Sequence, residues 1–432
     1  MLTEADLPSF ALDGETYVRP NFTGRGLANV APTLLRLLAP SAAPLDLPSL
    51  DPSVLPESLT SGIKSVVLLV ADGLGHLQLQ REIAAGNAPN LGEFLVRAAS
   101  GGNENVSYAP LTSVFPTTTV AALGSVNSGV TPSEHGLLSY TLYLPEFDML
   151  AEMIRWAPLN RRISFTDPEF AYEPEAFFWA ETMYARLQAA GVRRTFAVNP
   201  NYFTGTALTR MLHQSATYSG YISTSSLQPI VSRLLSETDE TTYVYAYWPT
   251  VDTIAHVLGP LTAEHSAEVA ALDFQIGRVV KSLPRRGDTL LLLTADHGHV
   301  DTTPEQNVAF AEHPELLEML RVPPAGERRA VYLYSKPGFS SHVLAYARER
   351  MGGVASPMLR DDAVRLGLFG PGPLSARAAG RIGEVLLFPR GNLQMISPAE
   401  TPDGVATPRP FRGLHGGLRA DEALVPLLAV RS

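Results

Sequence analysis

Ser65-Val66-Val67-Leu68-Leu69-Val70 is an unbroken apolar run that passes into Ala71-Asp72-Gly73-Leu74-Gly75, a carboxylate set among small turn residues. A short run of this kind, bounded by turn signals, reads as a strand buried on both faces. An amphipathic helical pattern comes next. Thr195–Val198, Tyr243–Tyr247 and Thr289–Thr294 read as further strands, and Ala263–Leu283 and the alanine-rich segment Val120–Val126 read as helices. Strands alternating with helices predict an α/β fold with a central, mostly parallel sheet flanked by helices.

Outside that alternation the character of the chain changes. Residues 1–60 carry Pro40, Pro44, Pro48, Pro52 and Pro56 and read as an N-terminal arm lying on the core, with one helix around Ala28–Leu38. After Val300, strands at Arg329–Tyr334 and Glu384–Phe388 alternate with helices at Ser341–Met351 and Ser375–Arg381, predicting a smaller α+β cap insertion. The expected division is an arm over 1–60, a core over 61–303 and 411–432, and a cap over 304–410. The segment Gly413–Val430 rejoins the core.

Composition narrows the chemistry. The 432 residues carry a formal net charge of −10, which argues against a nucleic-acid partner, because phosphate backbones are held by clustered Lys and Arg. There is no cysteine, so any metal must be held by His, Asp, Glu or hydroxyl groups. The start, MLTEADLPSF, lacks a basic segment leading into an apolar one, and no run reaches membrane-spanning length. The expectation is a cytoplasmic protein without a membrane partner.

Ligands gather at the C-terminal ends of strands in open parallel sheets. Asp72 comes directly after the first strand. Asp252 lies just beyond Tyr243–Tyr247, with His256 one helical turn further on, and Asp296-His297-Gly298 lies just beyond Thr289–Thr294. Each piece alone has an ordinary structural reading, as turn, cap or loop. Together with His415 in Gly413-Leu414-His415-Gly416-Gly417, three Asp and three His make two plausible sites for divalent metal ions, zinc or alternatively manganese. Such a pair, about 4 Å apart, stabilises both the attacking and the leaving oxygen in phosphoryl transfer. Val114-Phe115-Pro116-Thr117-Thr118-Thr119 leads into the alanine-rich helix, where a hydroxyl can cap the helix or meet a phosphate at its N-terminus.

In this order the segments resemble the alkaline phosphatase superfamily, and within it the type I phosphodiesterase/nucleotide pyrophosphatase family. The family pattern is an Asp after the first strand, Phe-Pro-Thr-x-Thr, Asp-x-x-x-His, Asp-His-Gly and a C-terminal His-Gly. Here these are Asp72, Phe115–Thr119, Asp252–His256, Asp296–Gly298 and His415-Gly416. The resemblance spans residues 64–298 and 413–430. It implies one metal on Asp252, His256 and His415, and a second on Asp72, Asp296, His297 and the Thr119 hydroxyl. It also implies that Thr119 is the nucleophile and that phosphoesters are hydrolysed through a phosphothreonine. Tyr140 stands where the family has an Asn that holds a phosphate oxygen, so a substrate contact is expected of its phenol.

The expected substrate is a small phosphodiester or nucleotide. The alternatives are a phosphomonoesterase or phosphonate hydrolase on the same metals, and a non-catalytic, metal-stabilised binding protein. Arg155, Arg161 and Arg162 read as a solvated basic turn, and His135 as structural. His76 reads as a helix-surface or supporting residue, and His299 as an ordinary neighbour of the metals or a support for them. His213, His265, His313 and His342 read as surface residues.

Overall fold

The structure, a computed structural model, describes residues 3–100, 105–236, 239–400 and 411–432. Its centre is a seven-stranded sheet in the order Val106–Thr112, Leu424–Arg431, Thr289–Thr294, Ser65–Ala71, Thr242–Trp248, Arg194–Pro200, Thr217–Tyr221. The last five run parallel. Leu424–Arg431 lies antiparallel between Thr289–Thr294 and Val106–Thr112. Val66, Val67, Leu68, Leu69 and Val70 are fully buried, as their unbroken apolar character requires. Each such side chain stabilises the fold by roughly 1.5–3 kcal/mol.

Strand register positions the chemistry. Ser65 pairs with both Thr242 and Thr289, so the three central strands end level: Ala71 is opposite Trp248, and Val70 is opposite Thr294. Asp72, Asp296 and the helix Thr250–Leu258, with Asp252 in its first turn, therefore emerge at one edge. The alanine-rich segment is the helix Thr119–Ser128, wholly buried beyond its first residue and closed by Gly129 at φ 76°.

The helix expected near Ala28–Leu38 forms over Val30–Leu38, but it is interior rather than part of a surface arm. Val30, Ala31 and Leu34 are fully buried in the main core. A hairpin, Ser9–Leu12 with Glu15–Val18, precedes it.

A second, antiparallel sheet runs in the order Ala355–Leu359, Val385–Pro389, Ala330–Leu333, Ala325–Glu327, Thr141–Leu144, Met149–Glu152, Ala157–Pro158. Four of these strands come from the segment expected as a cap and three from residues 141–158. The two halves meet at the single pair Gly326–Thr141. A satellite core of Phe310, Leu333, Val343, Met351 and Leu387 backs the later strands. Residues 401–410 of the expected cap lie outside the described residues.

Candidate active site

At the C-terminal edge of the parallel strands, Asp72, Thr119, Asp252, His256, Asp296, His297 and His415 converge. His297 Nε2 lies 3.2 Å from Thr119 Oγ1 and 3.5 Å from both Asp72 Oδ1 and Asp296 Oδ2. Asp252 Oδ1 lies 3.2 Å from His256 Nε2 and 3.8 Å from His415 Nε2. The two groups touch: the His297 and His415 rings stack with centroids 3.6 Å apart, and Asp72, Asp252 and His297 offer ligand atoms within 4.8 Å of one another.

Each carboxylate on the Thr119 side spends one oxygen on structure. Asp296 Oδ1 accepts the backbone N–H groups of Gly73 and His297, both at 3.0 Å. Asp72 Oδ2 accepts the Tyr247 hydroxyl. The remaining oxygens, Asp72 Oδ1 and Asp296 Oδ2, are buried and have no hydrogen-bond partner. A buried, unpaired carboxylate oxygen costs several kcal/mol unless a cation meets it (of order 1–3 kcal/mol even for neutral groups). Burial, then the neighbouring Asp296 and Asp252, push the Asp72 carboxyl well above its ordinary range.

On the other side, His256 Nδ1 lies 2.7 Å from the Gly413 carbonyl and His415 Nδ1 lies 2.9 Å from the Thr117 carbonyl. Each ring turns its Nδ1 to a carbonyl that can only accept, which leaves the two Nε2 atoms facing one another at 3.2 Å. Burial disfavours a charged His256, but Asp252 outweighs it and raises the pKa of the ring. Burial, with His297 and His256 alongside, holds His415 well below the ordinary imidazole range. Burial opposes ionisation of Asp252, yet His256 and His299 hold its carboxyl well below the usual carboxylate range. Orphaned carboxylate oxygens and converging imidazole nitrogens make the donor set suited to divalent cations.

The segment before the helix explains which threonine is available. Thr117 is fully buried, donates to the Gly417 carbonyl at 2.7 Å and accepts from the Gly416 N–H at 3.0 Å. It ties this loop to the His415 loop. Thr118 is the N-cap, and its hydroxyl hydrogen-bonds Glu327. Thr119 opens the helix, where N–H groups of the first turn lack intrahelical partners.

Two further residues join the cluster, one read from the sequence as a neighbour or support of the metals and one not singled out there. His299 is buried, with Nε2 3.0 Å from Asp252 Oδ1, and joins Asp252, His256 and His415 in one group of possible ligands. The spacing held a signal, since residues two apart in an extended segment share a face. Glu327 left no signal. It accepts the Tyr140 N–H at 2.6 Å, and burial pushes its carboxyl up to about 7. Tyr140 itself is 38% exposed beside it.

His76 and His265 are buried rather than at the surface. His76 Nδ1 lies 2.7 Å from the Tyr108 hydroxyl, and His265 packs beside Glu82. His213 is half-buried and lies within hydrogen-bonding distance of the Tyr184 hydroxyl and Asn199. Buried His135 accepts the Leu137 N–H, and Arg155 pairs with Glu152.

The fold matches solved structures of low sequence identity. Murine ectonucleotide pyrophosphatase / phosphodiesterase 5, solved as an inactive variant in complex with AMP, aligns at a TM-score of 0.59 and 15% identity over 84% of this chain and 87% of that one. Its human counterpart aligns at 0.60 and 15% over the same shares. Phosphonoacetate hydrolase from Sinorhizobium meliloti, in complex with phosphonoformate, aligns at 0.59 and 17% over 98% of this chain and 94% of that one. No curated protein matches by sequence. No helix among the described residues is long and apolar enough to cross a membrane. The sequence matches the family described as type I phosphodiesterase / nucleotide pyrophosphatase over residues 66–418, and the chain is therefore a hydrolase belonging to that family.

Proposed function

We propose that the protein hydrolyses small phosphodiesters, nucleotides among them, with Thr119 as nucleophile and two divalent cations, zinc or manganese, as cofactors. The observation that carries this reading is the pair of orphaned oxygens, Asp72 Oδ1 and Asp296 Oδ2, facing the same His297 nitrogen that touches Thr119 Oγ1. Asp72, Asp296, His297 and Thr119 would hold one cation, and Asp252, His256 and His415 the other. Bound there, the cations would supply the positive charge that lowers the hydroxyl pKa and offsets charge on the transferring oxygens.

The chain's own residues do the rest. The free N–H groups at the start of the Thr119–Ser128 helix receive the phosphoryl oxygens. Thr119 Oγ1 forms a bond to phosphorus as the bond to the leaving oxygen breaks, and the proton of the hydroxyl passes, through water, to the leaving oxygen, which departs as an alcohol. Water then attacks the phosphothreonine opposite Oγ1, restoring the hydroxyl and releasing the phosphate product. Two in-line displacements retain configuration at phosphorus. Tyr140, exposed beside the site, donates a hydrogen bond to the substrate. A cleft of ≈ 240 Å³ lined by Tyr202, Tyr221, Pro249 and Thr250 lies at the start of the Asp252 helix and would take the group attached to phosphate.

Glu327 favours a diester over a monoester. A carboxyl beside Thr118 and Tyr140 repels a dianionic phosphate more than a singly charged one. Phosphonoacetate-like substrates, which add a carboxylate, are disfavoured for the same reason. Rates on an aryl diester and the matching monoester, after chelation and zinc or manganese restoration, test the reading. Hydrolysis indifferent to chelation would overturn it.

A further inference from the structure

We infer that the outer edge of Thr217–Tyr221 is an interface with a second copy of this chain. The two strands pair antiparallel about a two-fold axis and join the two central sheets into one.

A sheet edge presents a row of backbone N–H and C=O groups that pair with any strand that reaches them. Soluble proteins cover such edges or blunt them with charges, proline or bulges. Three of the four edges of the two seven-stranded sheets are managed in this way. Along Val106–Thr112, at the far end of the central sheet, runs the N-terminal segment. The Thr112 N–H donates to the Arg25 carbonyl at 3.1 Å, and the Ser107 hydroxyl donates to the Val54 carbonyl at 3.4 Å. In the second sheet the N-terminal hairpin lies against Ala355–Leu359, with the Tyr17 hydroxyl 3.4 Å from Ser356 Oγ. At its other end Ala157–Pro158 is only two residues long and contains proline.

Thr217–Tyr221 has none of these devices. Its register with Arg194–Pro200 runs unbroken from Thr217 to Tyr221, with no bulge. Among the described residues nothing pairs with its outer side. Thr217 and Gly220 are exposed. Between Arg210 and Arg233 the chain carries no Asp, Glu, Lys or Arg. Such an edge does not repel a copy of itself, because no like charges meet across the two-fold axis.

The flanks of the strand also match a second copy. Past its C-terminal end Ile222 is 91% exposed and Tyr202 is 67% exposed. At its other end the Thr182 hydroxyl donates to the Gln214 carbonyl at 2.8 Å, which ties down the segment that carries Trp179, itself 53% exposed. Antiparallel pairing brings the C-terminal end of one strand to the N-terminal end of the other. Ile222 and Tyr202 of each copy then meet the Trp179 segment of the other, twice over, as a two-fold interface requires. Large aromatic side chains are enriched at such interfaces. Tyr202, Tyr221 and Ile222 also line the cleft beside the Asp252 helix, so the second copy forms its outer wall. That last consequence rests on the proposed function, whereas the interface does not.

Sedimentation velocity of the full chain over about 1–100 μM, the range of a modest interface, is the test. One chain has a mass of 46.6 kDa, and a species of twice that mass should grow in with concentration. Trp179→Ser and Thr217→Lys, both at exposed positions, should each weaken the association at least about 10-fold. The chain has no cysteine, so Ser219→Cys at the middle of the strand offers a single thiol. A short bismaleimide should cross-link it to its own copy, and adding Trp179→Ser should abolish the cross-link. A wild-type chain that stays monomeric throughout overturns the inference. So does a dimer that both variants leave unchanged, or one that Ser219→Cys does not cross-link. None of these readings depends on turnover, so they hold or fail apart from the proposed function.

Discussion

Thr119 Oγ1 lies 3.2 Å from His297 Nε2, although the two residues are 178 positions apart in sequence. The strand register creates that proximity. Thr289–Thr294 ends level with Ser65–Ala71, which delivers His297 and Asp72 together, and the Thr117 tie to Gly416 and Gly417 brings the Thr119 helix to the same edge. A hydroxyl at a helix start could be a simple cap, but here Thr118 occupies the N-cap position and Thr119 faces the cluster.

Asp252 is the hinge of the donor set, because it belongs to both groups of candidate ligands. Asp252→Asn should reduce bound zinc and lower turnover at least about 10²-fold. Chelation of the wild type should lower its melting temperature, since a cation at about 100 times its Kd stabilises by about 2.7 kcal/mol. Metal analysis and calorimetry check this. An Asn variant with full zinc content contradicts the assignment.

Metal loading should weaken as pH falls. His256 has a raised pKa and Asp72 sits well above the usual carboxylate range, so both must release protons before they can ligate. His297 and His415 are held low by burial and are already neutral. Apparent affinity should therefore start to fall above the ordinary imidazole range as pH is lowered, by up to about tenfold per pH unit for each proton released. Zinc competition at a series of pH values reads this directly. A flat profile down to about pH 5 contradicts it.

Glu327→Gln removes a charge and keeps the shape, so the Tyr140 N–H and Thr118 hydroxyl retain an acceptor. The ratio of kcat/KM for diester over monoester should fall by about 10-fold, near 1.4 kcal/mol. The change should be largest above pH 7, where Glu327, pushed up to about 7, is ionised. An unchanged ratio contradicts the role given to this carboxyl.

Tyr140→Phe deletes one donor from an exposed ring. KM for a diester should rise about 3- to 10-fold with kcat nearly unchanged, the effect of one hydrogen bond worth about 1 kcal/mol. Identical kinetics in the variant would remove Tyr140 from the substrate site.

The legible part of the sequence was the part where one residue type has one use. Val66–Val70 has no polar position to offer solvent, so it had to be a central strand. Asp72 and Asp296 come directly after such strands, and level parallel strands bring their C-terminal residues to one edge. The second sheet was only partly legible. Its strands run two to five residues, and its halves join through one pair of residues far apart in sequence, Gly326 and Thr141. Glu327 reaches the site only through that pairing. His265 misled because an isolated histidine on a long helix reads as exposed, whereas its face of Ala263–Ser282 packs inward beside Glu82.

Trapping a phosphate on Thr119 would decide the chemistry. Zinc-loaded protein would be mixed with an aryl phosphodiester, quenched in acid within the first turnovers, and its peptides mapped by mass spectrometry. The phosphoryl group should sit on Thr119 and be missing from Thr119→Ala, whose turnover should fall at least about 10³-fold. Full turnover in Thr119→Ala, or a phosphoryl group on another residue, would contradict nucleophilic attack by this hydroxyl.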